Sequence, residues 1–426
     1  MSTTALPPTR TTGRGGQFAR LRQLMDSPTA TYYLVLSVTG LLVSIGLVMV
    51  LSASMIVSIR ENDGSPYAVF ITQAVFAVLG MIAMAVAMRI PAALWKRLGG
   101  LALVATLLMQ ILVFSPMGID VQGNRNWLDF RFFTVQPSEI GKLAIILFGA
   151  RVLAHKRHLL GSFKEACVPF VFPAAAILLV LVMIGHDLGT AMVLAGIVAG
   201  MLFAAGMPSR YFAIAGGGGL VLLAAATVTS SNRLQRISIW LHPGQCVPKN
   251  EDLYYGICRQ PMHARYALAD GGLTGIGLGA SKEKWQWLSA PHNDFIFAII
   301  GEEIGLIGAL VVLALFAVFA YAAYRLVIRS EDFFVRIAAA GVMTWIVVQA
   351  VINIGAVIGL LPIIGVPLPF VSSGGSSLVT TMLAAGLLLS FARAEPGCAE
   401  QLAARPGAVR GSQAVLARIR RSRGRA

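Results

Sequence analysis

The chain has 426 residues, 57% of them hydrophobic and only 12% charged, with a formal net charge of +15. That charged share is about half the usual value for a soluble protein. No water-soluble core could hide so much apolar surface, so lipid is its solvent. The apolar residues also run in stretches long enough to cross a hydrocarbon core, which takes about 20 residues.

In chain order, residues 1–30 read as a flexible, basic cytoplasmic arm, and the run after them is too long for the core of a cleavable signal. Ten spans are predicted, at 33–55, 67–88, 98–115, 138–154, 168–185, 188–206, 211–229, 295–325, 336–358 and 376–393. Residues 31–393 thus form one all-α, polytopic membrane domain. Basic residues gather in alternate loops: Arg89, Lys96 and Arg97; Arg151, Lys156 and Arg157; Arg210; then Arg325, Arg329 and Arg336. With the arginines of the arm and of the tail 394–426, this is a positive-inside pattern that puts both termini in the cytoplasm. The tail reads as disordered, and its charge suits anionic lipid better than nucleic acid. Three outer segments remain, at 115–136, 230–293 and 359–373, and the second is longer than a connector needs.

The outer segments and the span ends beside them hold the chemistry. QGNRNW (122–127) supplies Arg125, and QPSEIGK (136–142) supplies Glu139 and Lys142, three apart on one helix face. Two readings stand: a structural ion pair between helices, or a basic cavity mouth where Lys142 and Arg125 meet an anionic headgroup. Asp187, in HDLGT (186–190), either caps the next helix or binds a cation or a basic residue. The glycines at 271, 272, 275, 277 and 279 fit a turn-rich loop better than a phosphate nest, since no strand precedes them. Asp294 follows His292 and Asn293 and heads the apolar run FIFAII. A carboxylate there is desolvated toward the pKa of a useful base, or else caps the helix. Glu302 lies about 12 Å further along a continuous helix, too far for a glycosidase-type pair of about 5–9.5 Å. Gln349 and Asn353 form a polar stripe four residues apart, which is also what interhelical glue looks like. Cys246 and Cys258 share the long outer loop and are disulfide candidates, while Cys167 and Cys398 read as inner thiols.

Taken in order, GLVMVLSAS (46–54), NRNW with QPSEIGK, HDLGT, GGLTGIGLG (271–279), HNDFIFAIIGEEIG (292–305) and NIGAVIGLLPIIGVPLPFVSSGGSS (353–377) resemble the SEDS family of peptidoglycan polymerases. The resemblance runs through most of residues 33–393 and leans to the division-type branch. It implies polymerisation of lipid II into β-1,4 glycan at the outer face of the bacterial cytoplasmic membrane, with inversion and release of undecaprenyl pyrophosphate. Asp294 matches the family's catalytic aspartate. Arg125, Glu139 and Lys142 match cavity positions for pyrophosphate. Asp187, Arg236, His292, Gln349, Asn353, Ser372 and Ser376 complete the candidate substrate-binding set. A divalent cation, Mg²⁺ or Mn²⁺, is implied and no organic cofactor. The implied partners are a class B penicillin-binding protein and other division proteins. LSAPHND (288–294) departs from the LPEAHTD of relatives, and Gln286 stands where some have glutamate, which weakens any role for further acids on that loop. A lipid II flippase and a non-catalytic division scaffold are the competing readings.

Overall fold

The structure, a computed structural model, describes residues 27–121, 124–131, 133–213, 216–217, 231–247 and 249–404. Most of the expected arm, most of the expected span 211–229 and the tail from 405 lie outside the described residues. The chain is a mostly helical, polytopic membrane protein, and seven described helices are long and apolar enough to cross a membrane.

The described chain opens with α1 (Ala30–Glu61), α2 (Ala68–Ala87) and α3 (Ala92–Leu112). Then α4 (Pro137–His155) and the short α5 (Phe163–Cys167) lead to a π-turn, Phe170–Ala175, that feeds α6 (Ala176–Ile184). After α7 (Leu188–Ala204), the long outer segment carries α8 (Ser231–Leu241), α9 (Glu251–Tyr255) and α10 (Arg259–Gly271). The last spans are α11 (Ile296–Arg329), α12 (Phe333–Val357) and α13 (Gly375–Arg393), followed by α14 (Cys398–Ala404). That last helix occupies the start of the segment read as an unstructured tail, and buried Cys398 anchors it. Helices apolar all round must face lipid or protein, and the spans range between the two roles. In the best span windows, 72% of α12 and 78% of α13 are buried in protein, against 17% of α2 and 22% of α3. The α3 helix starts earlier than expected because exposed Lys96 and Arg97 continue it past the apolar run, as long basic side chains at a span end can while keeping their heads in water.

Two departures from the expected architecture matter for the site. The first outer segment is not a loop in an all-α protein. It is an antiparallel sheet of β1 (Gly118–Val121), β2 (Asn124–Asp129) and β3 (Thr134–Val135), in the order β1-β2-β3. Along β2 burial alternates, with Asn126 and Leu128 turned inward, as a half-buried strand requires. Arg125 N–H also donates to Gly185 O at 3.1 Å, which ties the sheet to the end of α6. The second departure is in α11, which is not continuous: Gly305, at φ 78° and ψ −170°, breaks it.

The glycine-rich loop after α10 fills that break. Ile276 N–H and Gly277 N–H donate to Glu302 O and Glu303 O at 3.0 and 3.1 Å, while Leu306 N–H and Ile307 N–H donate to Gly272 O and Leu273 O at 2.9 and 3.2 Å. A broken helix inside a membrane protein is tolerated only where such partners replace the lost bonds. Gly275, at φ 80°, lies so close to the Glu303 backbone that a Cβ would collide with it. Gly271 and Gly275 therefore serve close backbone approach, while Gly272, Gly277 and Gly279 take positive φ in the turns of a turn-rich loop.

Candidate active site

Asp294 sits on the long loop immediately before α11, and three consecutive carbonyls hold it there. His292 O accepts from Ser373 N–H at 2.9 Å. Asn293 O accepts from the Ser372 hydroxyl at 2.7 Å, and Asp294 O accepts from Asn353 Nδ2 at 2.8 Å. The clamps are themselves held. Ser372 Oγ accepts from Leu368 N–H at 2.7 Å, and Asn353 Nδ2 also donates to Val366 O at 2.7 Å. From lipid-facing α2, the Gln73 amide donates to Ser372 O at 3.2 Å and accepts from Gly374 N–H at 3.1 Å.

With its backbone fixed, the Asp294 carboxyl is left for chemistry. The helix that follows takes no side-chain cap from it, which removes the capping alternative. The side chain is half-buried, so it still reaches solvent. Burial pushes its pKa up to about 6, against the pull of the Arg236 guanidinium and with a smaller push from Asp187. Such a carboxylate is still about nine-tenths ionised at pH 7 and far more basic than a surface aspartate. Burial pushes the neighbouring His292 imidazole down, and its buried Nδ1 has no hydrogen-bond partner among the described residues.

The second group lies in the membrane between α4 and α12. Lys142 Nζ donates to Glu139 Oε1 at 2.8 Å and to Gln349 Oε1 at 2.9 Å, and it lies 4.9 Å from the Trp345 ring centroid. Lys142 is 1% exposed and Glu139 2%. Lys142 therefore sits in the interior and not at a cavity mouth: desolvated charges persist when paired and hydrogen-bonded, the pair lies on one face of α4, and the Lys142 bond to Gln349 ties that helix to α12. Gln349 carries the connection onward, donating to Pro367 O at 2.9 Å in the loop that clamps Asp294. Asp187 caps α7, accepting from Thr190 N–H at 2.9 Å and from its hydroxyl at 2.7 Å, and it also accepts from Gln136 Nε2 at 2.9 Å. Gln136 N–H in turn reaches Ser376 Oγ at 3.4 Å. Arg125 stands apart from both groups on β2, and its side chain donates to Ser115 O at 2.9 Å.

Glu302 and Glu303, buried at 0% and 1%, fasten the outer loop to α11. Glu302 accepts from the Ser281 hydroxyl at 2.5 Å and from Lys282 N–H at 2.7 Å; Glu303 accepts from Ser52 at 2.7 Å and pairs with Lys284 at 3.1 Å. Asp187, Glu302 and Glu303 are thus bonded through their carboxylates, whereas Asp294 is held through its backbone.

That arrangement can be set beside known proteins. The family model described as "Cell cycle protein", which spans FtsW, RodA and SpoVE, matches residues 32–396. The chain belongs to the SEDS family. It is 39% identical over 373 residues to the probable peptidoglycan glycosyltransferase FtsW of Mycobacterium tuberculosis, covering 87% of this chain and 70% of that one. It is 36% identical over 369 residues to stage V sporulation protein E of Bacillus subtilis, covering 86% and 98%. Among solved structures, a chain of a peptidoglycan synthase complex studied for coordination of polymerization and crosslinking aligns with TM-score 0.67 at 22% identity, over 85% and 97% of the two chains. Thermus thermophilus rod shape determining protein RodA aligns with TM-score 0.61 at 22% identity over the same shares. At that identity the likeness is one of fold.

For a SEDS chain, the donor set around Asp294 bears on the implied cation. Among the described residues no three His, Cys, Asp or Glu side chains gather to hold a metal. The described side chains therefore do not build a protein-held metal site. One contribution to the site was not legible from a single residue. Gln73 is an isolated amide in an apolar run, and only its bonds to the 372–374 loop reveal its part in clamping Asp294. Cys246 and Cys258 are bonded to each other.

Proposed function

We propose that this SEDS chain is a peptidoglycan glycosyltransferase that polymerises lipid II into β-1,4 glycan strands during septal wall synthesis. The reaction runs at the outer face of the bacterial cytoplasmic membrane and releases undecaprenyl pyrophosphate. The observation that carries this reading is Asp294: a carboxylate with a clamped backbone, a solvent-reaching side chain and a pKa of about 6. In this mechanism Asp294 takes the proton from the acceptor sugar hydroxyl as that oxygen attacks the anomeric carbon. The carbon–oxygen bond to the diphosphate breaks, and the configuration inverts. The clamps from Ser372, Ser373 and Asn353 fix the base in position, which is where much of an enzyme's rate advantage arises. A Mg²⁺ or Mn²⁺ ion belongs to this reading as a companion of the substrate diphosphate, whose charge it neutralises.

The names of the relatives support the activity, and the synthase-complex likeness supports a transpeptidase partner of the class B penicillin-binding type, with other division proteins around it. The test is polymerisation of labelled lipid II by the purified chain, with and without such a partner and a divalent cation. Wild type should make polymer and a folded Asp294→Asn protein none. Equal polymer from both would remove Asp294 from the mechanism. No polymer from either, with the partner present, would favour a lipid II flippase or a division scaffold.

A further inference from the structure

Arg236, whose charge acts on Asp294, also lines a cavity of about 330 Å³ between α8, α10 and the loop after α12. Trp240 lines it from α8, Gln260 and Arg265 from α10, and Gly359 and Ile363 from the loop. Neither Asp nor Glu is among its lining residues, so its two charged groups are both guanidiniums. Ligand sites of this size are clefts or cavities with a few placed polar groups, and arginines are the donors best matched to phosphate oxygens.

The walls are held in register. Arg236 Nη1 donates to Ile363 O at 3.1 Å, and Trp240 Nε1 donates to Gly359 O at 3.1 Å, which fixes the loop over α8. The Cys246–Cys258 bond and a small apolar cluster of Ile239, Cys258 and Met262 lock α8 against α10. Arg265 is exposed and, among the described residues, hydrogen-bonds only through Nε, to Pro261 O at 3.0 Å. Its terminal amino groups therefore remain for a ligand. Lys142, the expected diphosphate residue, is 1% exposed and engaged by Glu139 and Gln349.

We propose that this cavity is an anion subsite that takes the diphosphate of a lipid-linked sugar, with Arg236 and Arg265 as its donors and the Cys246–Cys258 bond as its clamp. The inference rests on the glycosyltransferase reading above and gives that reading a place for the leaving group.

The experiment is equilibrium binding to the full chain in lipid nanodiscs, with undecaprenyl pyrophosphate, inorganic pyrophosphate and uncharged undecaprenol as probes. Arg265→Gln, Arg265→Lys and the control Lys249→Gln, an exposed charge on the same loop, are compared with wild type. The lipid diphosphate should bind wild type, lose about tenfold or more in Arg265→Gln, recover in part in Arg265→Lys and stay unchanged in Lys249→Gln. Inorganic pyrophosphate should compete, undecaprenol should not, and reducing the disulfide should weaken binding. Affinity unaltered by Arg265→Gln, or lowered equally by Lys249→Gln, would overturn the subsite. Binding of free pyrophosphate without the lipid diphosphate would overturn its assignment to a lipid-linked ligand. Because binding is read apart from turnover, a chain that binds through Arg265 but makes no polymer refutes the polymerase reading and leaves the subsite standing.

Discussion

A carboxyl whose folded pKa is raised makes the protein less stable once ionised, so removing its charge should strengthen the fold while abolishing activity. For Asp294 the shift runs from 3.8 to about 6 and comes mainly from burial. Two pH units correspond to at most about 3 kcal/mol at neutral pH. Because the side chain is half-buried, solvent screening reduces this to about 1–2 kcal/mol. The sign follows from proton binding: the folded state holds the proton more tightly, so wild type is penalised fully above pH 6 and not at all below about 4. Asp294→Asn should therefore unfold at a higher temperature than wild type at pH 7, with the gap closing as pH falls through 6 toward 4. Thermal unfolding in detergent at several pH values measures it. An Asp294→Asn protein no more stable than wild type at pH 7, or one with a pH-independent advantage, would refute the claim that this carboxyl is held in a desolvated place.

Three further outcomes are expected. The rate of lipid II polymerisation should fall about tenfold per pH unit below 6, and Arg236→Gln should move that acid limb upward by removing the charge that opposes burial; a limb near 4 would contradict the assignment. Lys142→Met alone should cost about 3–5 kcal/mol by stranding Glu139, whereas Glu139→Gln with Lys142→Met should recover most of it, read as unfolding temperature in a double-mutant cycle. Gly275→Ala should lower stability and yield, because its Cβ would meet the Glu303 backbone and φ is 80°; a Gly275→Ala chain as stable as wild type would show that the loop can stand off from α11.

The spans were legible because a run of some twenty apolar residues has few alternatives, and Asp294 because a charge at the head of such a run is conspicuous. The sheet at 118–135 was not, since its strands are two to six residues long and carry no apolar run. The break at Gly305 was hidden for a different reason. Glycine is common in membrane helices, and what makes this one a break is a partner segment more than thirty residues earlier, Gly271 to Leu273, that no local pattern announces. Lys142 and Glu139 were correctly placed on one face, but spacing says nothing of exposure, and the choice between cavity mouth and buried tie was settled by Gln349 and Trp345 on another helix.

The discontinuity at Gly305 also divides the molecule mechanically. Every residue from Phe295 to Glu303 is buried, and Glu302 and Glu303 are strapped to the preceding loop, whereas Leu306, Ile307 and Leu310 beyond the break are exposed. Spans tilt as bilayer thickness changes. Below this joint the lipid-facing half of α11 can tilt while the short upper half moves with the loop that carries Asp294. Asp294 is thereby referenced to the outer loops and insulated from the thickness of the membrane beneath it.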